Sequence, residues 1–306
     1  KQFRKIGSEE WEKGIDTRRA YVYNLPSGKK IHLFFYDGKQ SHGVAFKGYL
    51  NNGKAFAEAL ISAFDQREDS QLVTIATDGE SYGHHHKNGE MALAYCMRMI
   101  EQNADVQLVN YSQYLDLVET THEVIINEDT SWSCVHGVER WRSDCGCHTG
   151  GKPGWNQQWR VGLRSTLDWL NGRLADIYEN LMLVYHDDPW ELRNDYIEFF
   201  NLRSAENTRL FFEKHFTKKL IDRDKTRVIR LLEMQKQSEF MFTSCGWFFN
   251  DISGMETTQI LQYANRAIQL AAELSEFRLN EDFERGLDKI NSNIKKYGTG
   301  KDIYKN

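Results

Sequence analysis

The sequence predicts an α/β segment followed by an all-α segment. Three observations carry that expectation. Up to about residue 125, short runs of β-branched and aromatic residues alternate with stretches whose apolar residues recur every three or four positions, the pattern of strands joined by helical crossovers. From residue 156 onward only the helical period remains. Proline occurs just three times in 306 residues, at Pro26, Pro153 and Pro189, so long helices meet few breakers.

Taken in order, residues 30–37 (KIHLFFYD) read as a buried strand. Residues 53–66 read as an amphipathic helix with Phe56, Leu60, Ala63 and Phe64 on one side. Residues 72–77 (LVTIAT) form the next strand, residues 88–102 a helix capped by Asn88, and residues 106–116 begin as a third strand. Strand–helix–strand order implies parallel pairing with right-handed crossovers. Residues 127–155 break the pattern with five glycines, Pro153 and three tryptophans, and a loop of that length is usually functional. Beyond it, Trp159, Leu163, Leu167, Leu170, Leu174, Ile177 and Leu181 form one apolar stripe, read as core. The next helix starts at Asp188-Pro189-Trp190-Glu191, with Asp188 as cap, Pro189 in the first turn and Glu191 completing a capping box. Further helices follow, and the basic tail at 297–306 is expected to fray. The expected divisions are therefore 1–126, 127–155, 156–296 and 297–306.

Composition excludes several classes. A net charge of −5 gives no global positive field to draw nucleic acid or anionic lipid. No apolar run reaches the ~20 residues of a membrane span, and no secretory signal is visible. Five cysteines in a chain of this size suit reduced thiols and a cytoplasmic location. No cofactor is implied.

The densest chemistry lies in residues 72–95, LVTIATDGESYGHHHKNGEMALAY. In parallel α/β architectures, ligands bind beyond the carboxyl ends of strands, where Asp78 stands. Asp78 and Glu80, two apart on an extended backbone, face one side. Gly79 and Gly83 let the chain bend closely around a ligand. Three adjacent histidines, His84, His85 and His86, do not converge on one ion as i,i+4 or C-x-x-C spacings do. They are read as hydrogen-bonding a hydroxylated substrate or the acids, with no metal assigned. The bland alternative is that the acids cap the next helix or pair with the histidines.

These residues carry a resemblance. TDGESYGHHH (77–86) resembles the fourth conserved region of glycoside hydrolase family 57. The resemblance makes Asp78 the catalytic general acid/base and Glu80 the second acid, with Tyr82, Gly83 and His84 completing the match. Residues 243–268 resemble the family's last conserved region and put Trp247 at the active-site edge; Gly246 stands where members commonly carry an Asp, with Asp251 nearby. The chain most resembles the C-terminal part of the alpha-amylase/alpha-mannosidase-like branch. That implies part of a (β/α) barrel packed against a C-terminal helical bundle, in a retaining hydrolase or transglycosidase acting on an oligosaccharide or polysaccharide, α-glucan or a related glycan. The family's nucleophilic Glu lies on an earlier strand. Asp37 ends a strand here, but it is not a Glu. The nucleophile is therefore expected from an upstream barrel segment of the same polypeptide, and these residues alone are expected to be inactive.

The long loop offers a second constellation. Trp132 and Trp141 present flat faces to sugars, and His136, Arg142 and Asp144 can bond hydroxyls; the alternative is that the tryptophans plug the loop onto the core. Cys134, Cys145, Cys147 and His148 resemble metal ligands, yet C-x10-C-x-C-H fits no common zinc spacing. Rival readings are a non-catalytic glycan-binding or scaffolding domain, and a zinc-dependent hydrolase using His84–His86 or the cysteines.

Overall fold

The computed structural model describes residues 1–128, 130–131 and 133–306. They fall into two compact units, residues 1–129 and 130–306.

The first unit is built around a five-stranded sheet: β1 (Gln2–Lys5), β2 (Glu12–Lys13), β3 (Ala20–Asn24), β4 (Lys30–Phe34) and β5 (His122–Ile125), in the order β2-β1-β5-β3-β4. β1 pairs antiparallel with β2 and β5, and β4 pairs antiparallel with β3. Only β3 and β5 run parallel, with Val22 opposite Glu123. Phe3, Tyr21 and Val124 are buried on one face.

The expected run of three parallel strands is corrected by this sheet. The strand predicted at 30–37 exists as β4, but its partner is the neighbouring β3. The connection is residues 25–29, where Gly28 takes φ 79° and donates its N–H to the Leu25 carbonyl at 2.9 Å. A short loop costs far less closure entropy than a crossover. Residues 72–77 and 106–110 join no ladder. Their polar groups find scattered partners instead: Asp37 N–H donates to the Thr74 carbonyl at 2.7 Å, and Leu72 N–H to the Arg18 carbonyl at 2.9 Å. A largely apolar cavity of about 570 Å³, lined by Leu60, Leu72, Val73, Val106 and Leu108 among others, separates the two segments. Residues 111–117, expected to continue a strand, form helix α4 (Tyr111–Leu117). The described strands do not close into a barrel.

Of the helices of this unit, those at 53–61 and 89–101 fall where the sequence predicts helix, and the one at 38–46 is not predicted. α1 (Gly38–Phe46) is capped by Asp37, which accepts from Gln40 N–H at 3.0 Å. α2 (Gly53–Ile61) is capped by Asn52, and α3 spans Gly89–Glu101. Val44, Leu50, Phe56, Ala57, Cys96 and Ile100 form their common core. Gly53 lies where a Cβ would meet Ala92 O at 2.6 Å and Tyr95 Cβ at 2.8 Å, so α2 and α3 approach this closely only because the side chain is absent.

The second unit is helical: α5 (Trp159–Met182), α6 (Pro189–Asn201), α7 (Ala205–His215), α8 (Asp222–Phe240), α9 (Cys245–Phe248), α10 (Met255–Leu274), α11 (Asn280–Leu287) and α12 (Gly300–Lys305). The stripe of α5 is buried from Trp159 through Ile177. Its last member, Leu181, is only half-buried, and Tyr178 and Met182 complete the face, because a 3.6-residue period drifts around the axis. At α6, Asp188 accepts from Trp190 N–H and Glu191 N–H as expected; the Asp188 N–H itself goes to His186 Nδ1 at 3.1 Å rather than to Glu191. The tail expected to fray ends in α12, held by a reciprocal Thr299–Asp302 capping box with Ile303 buried. Among the described residues, no helix is long and apolar enough to cross a membrane.

Candidate functional site

In the first unit, residues 72–77 lead directly into a 3-10 turn, Gly79–Ser81, with Asp78 at its N-cap position. The Asp78 side chain does not cap that turn. It is exposed, and it has no hydrogen-bond or ion-pair partner among the described residues. The chain then knots tightly. Thr77 Oγ1 donates to Tyr82 Oη at 3.0 Å, Gly83 reverses direction at φ 133°, and His85 N–H donates to the Glu80 carbonyl at 2.9 Å. His86 is half-buried, with Nε2 3.0 Å from the Ala45 carbonyl of α1. The knot ends at Asn88, whose φ of 63° starts α3 although its side chain makes no capping bond.

Glu80, His84 and His85 are exposed beside Asp78. His85 Nε2 lies 3.4 Å from Glu80 Oε2, and the rings of His84 and His85 are 5.3 Å apart. The fold thus brings together Glu80, His84 and His85, and assigns His86 to anchoring the knot. Asp78 lines neither the 570 Å³ cavity nor a smaller one of 110 Å³ beside His122.

In the second unit, residues 133–158 carry one short 3-10 turn, Glu139–Trp141. Trp132 lies outside the described residues. Trp141 packs half-buried against the helical core. Arg142 is ion-paired with Glu139 at 2.5 Å, and Asp144 accepts from Gln157 N–H at 3.1 Å. His136 does not stand among sugar-binding groups. It sits with Cys134, Cys145 and Cys147, and the four ligand atoms lie within 4.8 Å of one another. His148 is elsewhere: its Nδ1 accepts from Gly150 N–H at 3.1 Å. Burial raises the Cys134 thiol, but hydrogen bonds from the His136 backbone and ring outweigh that effect and bring it down to about 6.

Trp247, expected at a substrate edge, is 2% exposed inside the helical core, so its indole presents no open face. The nearby Asp251 is also buried. Its carboxylate accepts from Ser253 N–H at 2.9 Å, Ser253 Oγ at 2.6 Å, Ser292 Oγ at 2.8 Å and Asn293 N–H at 2.6 Å. Sequence reasoning missed Arg160. It is fully buried and faces carbonyls, donating to Cys147 O at 3.0 Å, Phe248 O at 3.3 Å and Phe249 O at 3.0 Å. Nothing in its position one residue after a stripe tryptophan signals that role. The pairing of His136 with the cysteines was more accessible, because Cys134 and His136 share the i,i+2 spacing of Cys145 and Cys147.

Comparison with known proteins adds the class. Residues 8–127 match the model of glycosyl hydrolase family 57, and residues 155–306 match a domain of unknown function, DUF3536. No curated protein and no solved structure matches the chain. The first unit, which carries Asp78 and Glu80, is therefore similar to proteins of the glycoside hydrolase class. More narrowly, residues 8–127 are similar to glycosyl hydrolase family 57, and residues 155–306 to DUF3536.

Proposed function

We propose that the protein is the carbohydrate-active part of a retaining glycoside hydrolase or transglycosidase acting on α-glucan or a related glycan, with Asp78 as general acid/base. The observation that carries this reading is an unpaired, exposed carboxylate at Asp78, within the segment matched to family 57. Asp78 would protonate the leaving glycosidic oxygen and then deprotonate the incoming water or acceptor hydroxyl. Glu80, held near His85, would supply negative charge beside it, and His84 and His85 would bond sugar hydroxyls. A retaining mechanism needs a second carboxyl about 5–5.5 Å away. Asp37 is engaged as the α1 cap, so the nucleophile is proposed to come from elsewhere in the polypeptide.

The test is Asp78→Asn, assayed for release of reducing ends from maltooligosaccharides in the protein as it occurs with its catalytic partner segment. Turnover should fall about 10²–10⁴-fold while calorimetric binding of the glycan persists. Undiminished hydrolysis refutes the assignment. One observation favours a second reading: neither of the two cavities described above is lined by Asp78. A non-catalytic glycan-binding or scaffolding role would show binding with no release of reducing ends from any form of the protein.

A further inference from the structure

The cysteines and His136 of residues 133–147 are independent of the glycosidase reading. Two short turns face each other. In the first, Gly137 N–H donates to the Cys134 carbonyl at 3.0 Å, Cys134 N–H donates back to the Gly137 carbonyl at 3.1 Å, and Gly137 adopts φ 75°. This closes the turn Cys134-Val135-His136-Gly137. In the second, Gly146 at φ 79° reverses the chain between Cys145 and Cys147. Each turn sends two ligand atoms to the same point. Cys134 Sγ lies 4.0 Å from Cys145 Sγ and 3.8 Å from His136 Nδ1, and Cys147 Sγ lies 3.5 Å from His136 Nδ1.

Those separations are the edges of a coordination tetrahedron. Zn–S bonds of about 2.3 Å and Zn–N bonds of about 2.0 Å require S···S edges of about 3.8 Å and S···N edges of about 3.5 Å. They do not fit a disulfide, whose sulfurs stand about 2.05 Å apart. We propose that Cys134, His136, Cys145 and Cys147 bind one structural zinc ion. Four protein ligands leave no open position, so the site is closed and structural rather than catalytic. Three thiolates with one imidazole suit zinc over a hard, oxygen-seeking cation. The ligands are also held from outside. Arg160, at the start of α5, donates to the Cys147 carbonyl, Asp144 is pinned by the Gln157 N–H, and Trp141 packs on the core between the two turns. A loop this poor in regular structure has much conformational entropy to lose. A metal cross-link offsets that loss, since metal binding to such a site is folding free energy.

The test uses the whole protein purified under reductant without chelator. Elemental analysis should find one zinc per chain. Exchange with cobalt should give thiolate-to-cobalt charge-transfer absorption and the intense visible bands of tetrahedral coordination. Both readouts use the unaltered protein. Cys147→Ser and His136→Ala should each lose the stoichiometric zinc, while His148→Ala keeps it. Protein that neither carries zinc nor takes it up on reconstitution overturns the proposal. So does mass spectrometry showing Cys134 and Cys145 joined as a disulfide, or zinc lost in His148→Ala and kept in His136→Ala.

Discussion

Asp251→Asn tests whether a buried carboxylate, rather than helix packing alone, ties the second unit together. Asp251 accepts four hydrogen bonds, all from three residues in the segments preceding α10 and following α11: Ser253, Ser292 and Asn293. An asparagine keeps the shape but turns one acceptor into a donor. The two serine hydroxyls can rotate; the backbone N–H groups of Ser253 and Asn293 cannot. The amide therefore settles with its oxygen toward Ser253 and its NH₂ toward Asn293, stranding the Asn293 N–H at about 1–3 kcal/mol. The three remaining bonds lose their charge, at about 1 kcal/mol each, since bonds to charged groups are worth roughly twice neutral ones. The easier desolvation of a neutral amide returns part of this, leaving a net cost of about 3 kcal/mol. For a unit of this size, each kcal/mol moves the melting temperature by roughly 2–4 °C, so a drop of about 6–12 °C is expected. Thermal unfolding followed by helical circular dichroism measures it. Ser292→Ala should cost about 1 kcal/mol alone and less in the Asp251→Asn background, because the two share one network. A drop in Asp251→Asn of under about 2 °C refutes the reasoning.

Other outcomes follow from the same structure. Gly53→Ala should destabilise the first unit by about 1–3 kcal/mol in denaturant titration, because its Cβ meets the Ala92 carbonyl and the Tyr95 side chain between two packed helices; an unchanged midpoint would show that the helices separate freely. Burial raises the Asp16 carboxyl, but hydrogen bonds from Arg67 and Arg18 outweigh it and bring it from 3.8 to about 2. A lowered folded value means that the unfolded chain binds the proton first. This stability is full above about pH 4 and is lost as pH falls toward 2; it amounts to about 1–2 kcal/mol after discounting for partial exposure. Asp16→Asn should flatten that acid limb in pH-dependent urea unfolding, and an unchanged slope would rule the cluster out. Burial pushes the Cys96 thiol up to about 11, whereas Cys245 is exposed. A thiol reagent should therefore label Cys245 in the native protein and Cys96 only after unfolding; rapid native labelling of Cys96 would contradict the packing of α3.

Helices were legible because their information is local. The stripe from Trp159 to Ile177 and the Asp188-Pro189 start both reappear in the structure, since a 3.6-residue period and an N-cap bond are settled within a few residues. Asp78, Glu80 and the histidines stand out within one short stretch, and the structure leaves Asp78, Glu80, His84 and His85 exposed. Strand partners were not legible. Residues 72–77 have the composition of a buried strand, yet pairing is a choice among distant segments, and β4 took the nearest one.

The amino-acid sequence by itself determined the buried stripe of α5, the Asp188 cap and Pro189 start of α6, and that acids and imidazoles crowd residues 78–86. Only the tertiary structure decided which strands pair, that Trp247 and Asp251 serve the core, and that His136 rather than His148 joins the three cysteines. The physical reason is range. Periodicity and capping are fixed within a turn or two of chain, whereas burial and side-chain convergence depend on residues brought together by loop closure, whose cost the sequence does not display.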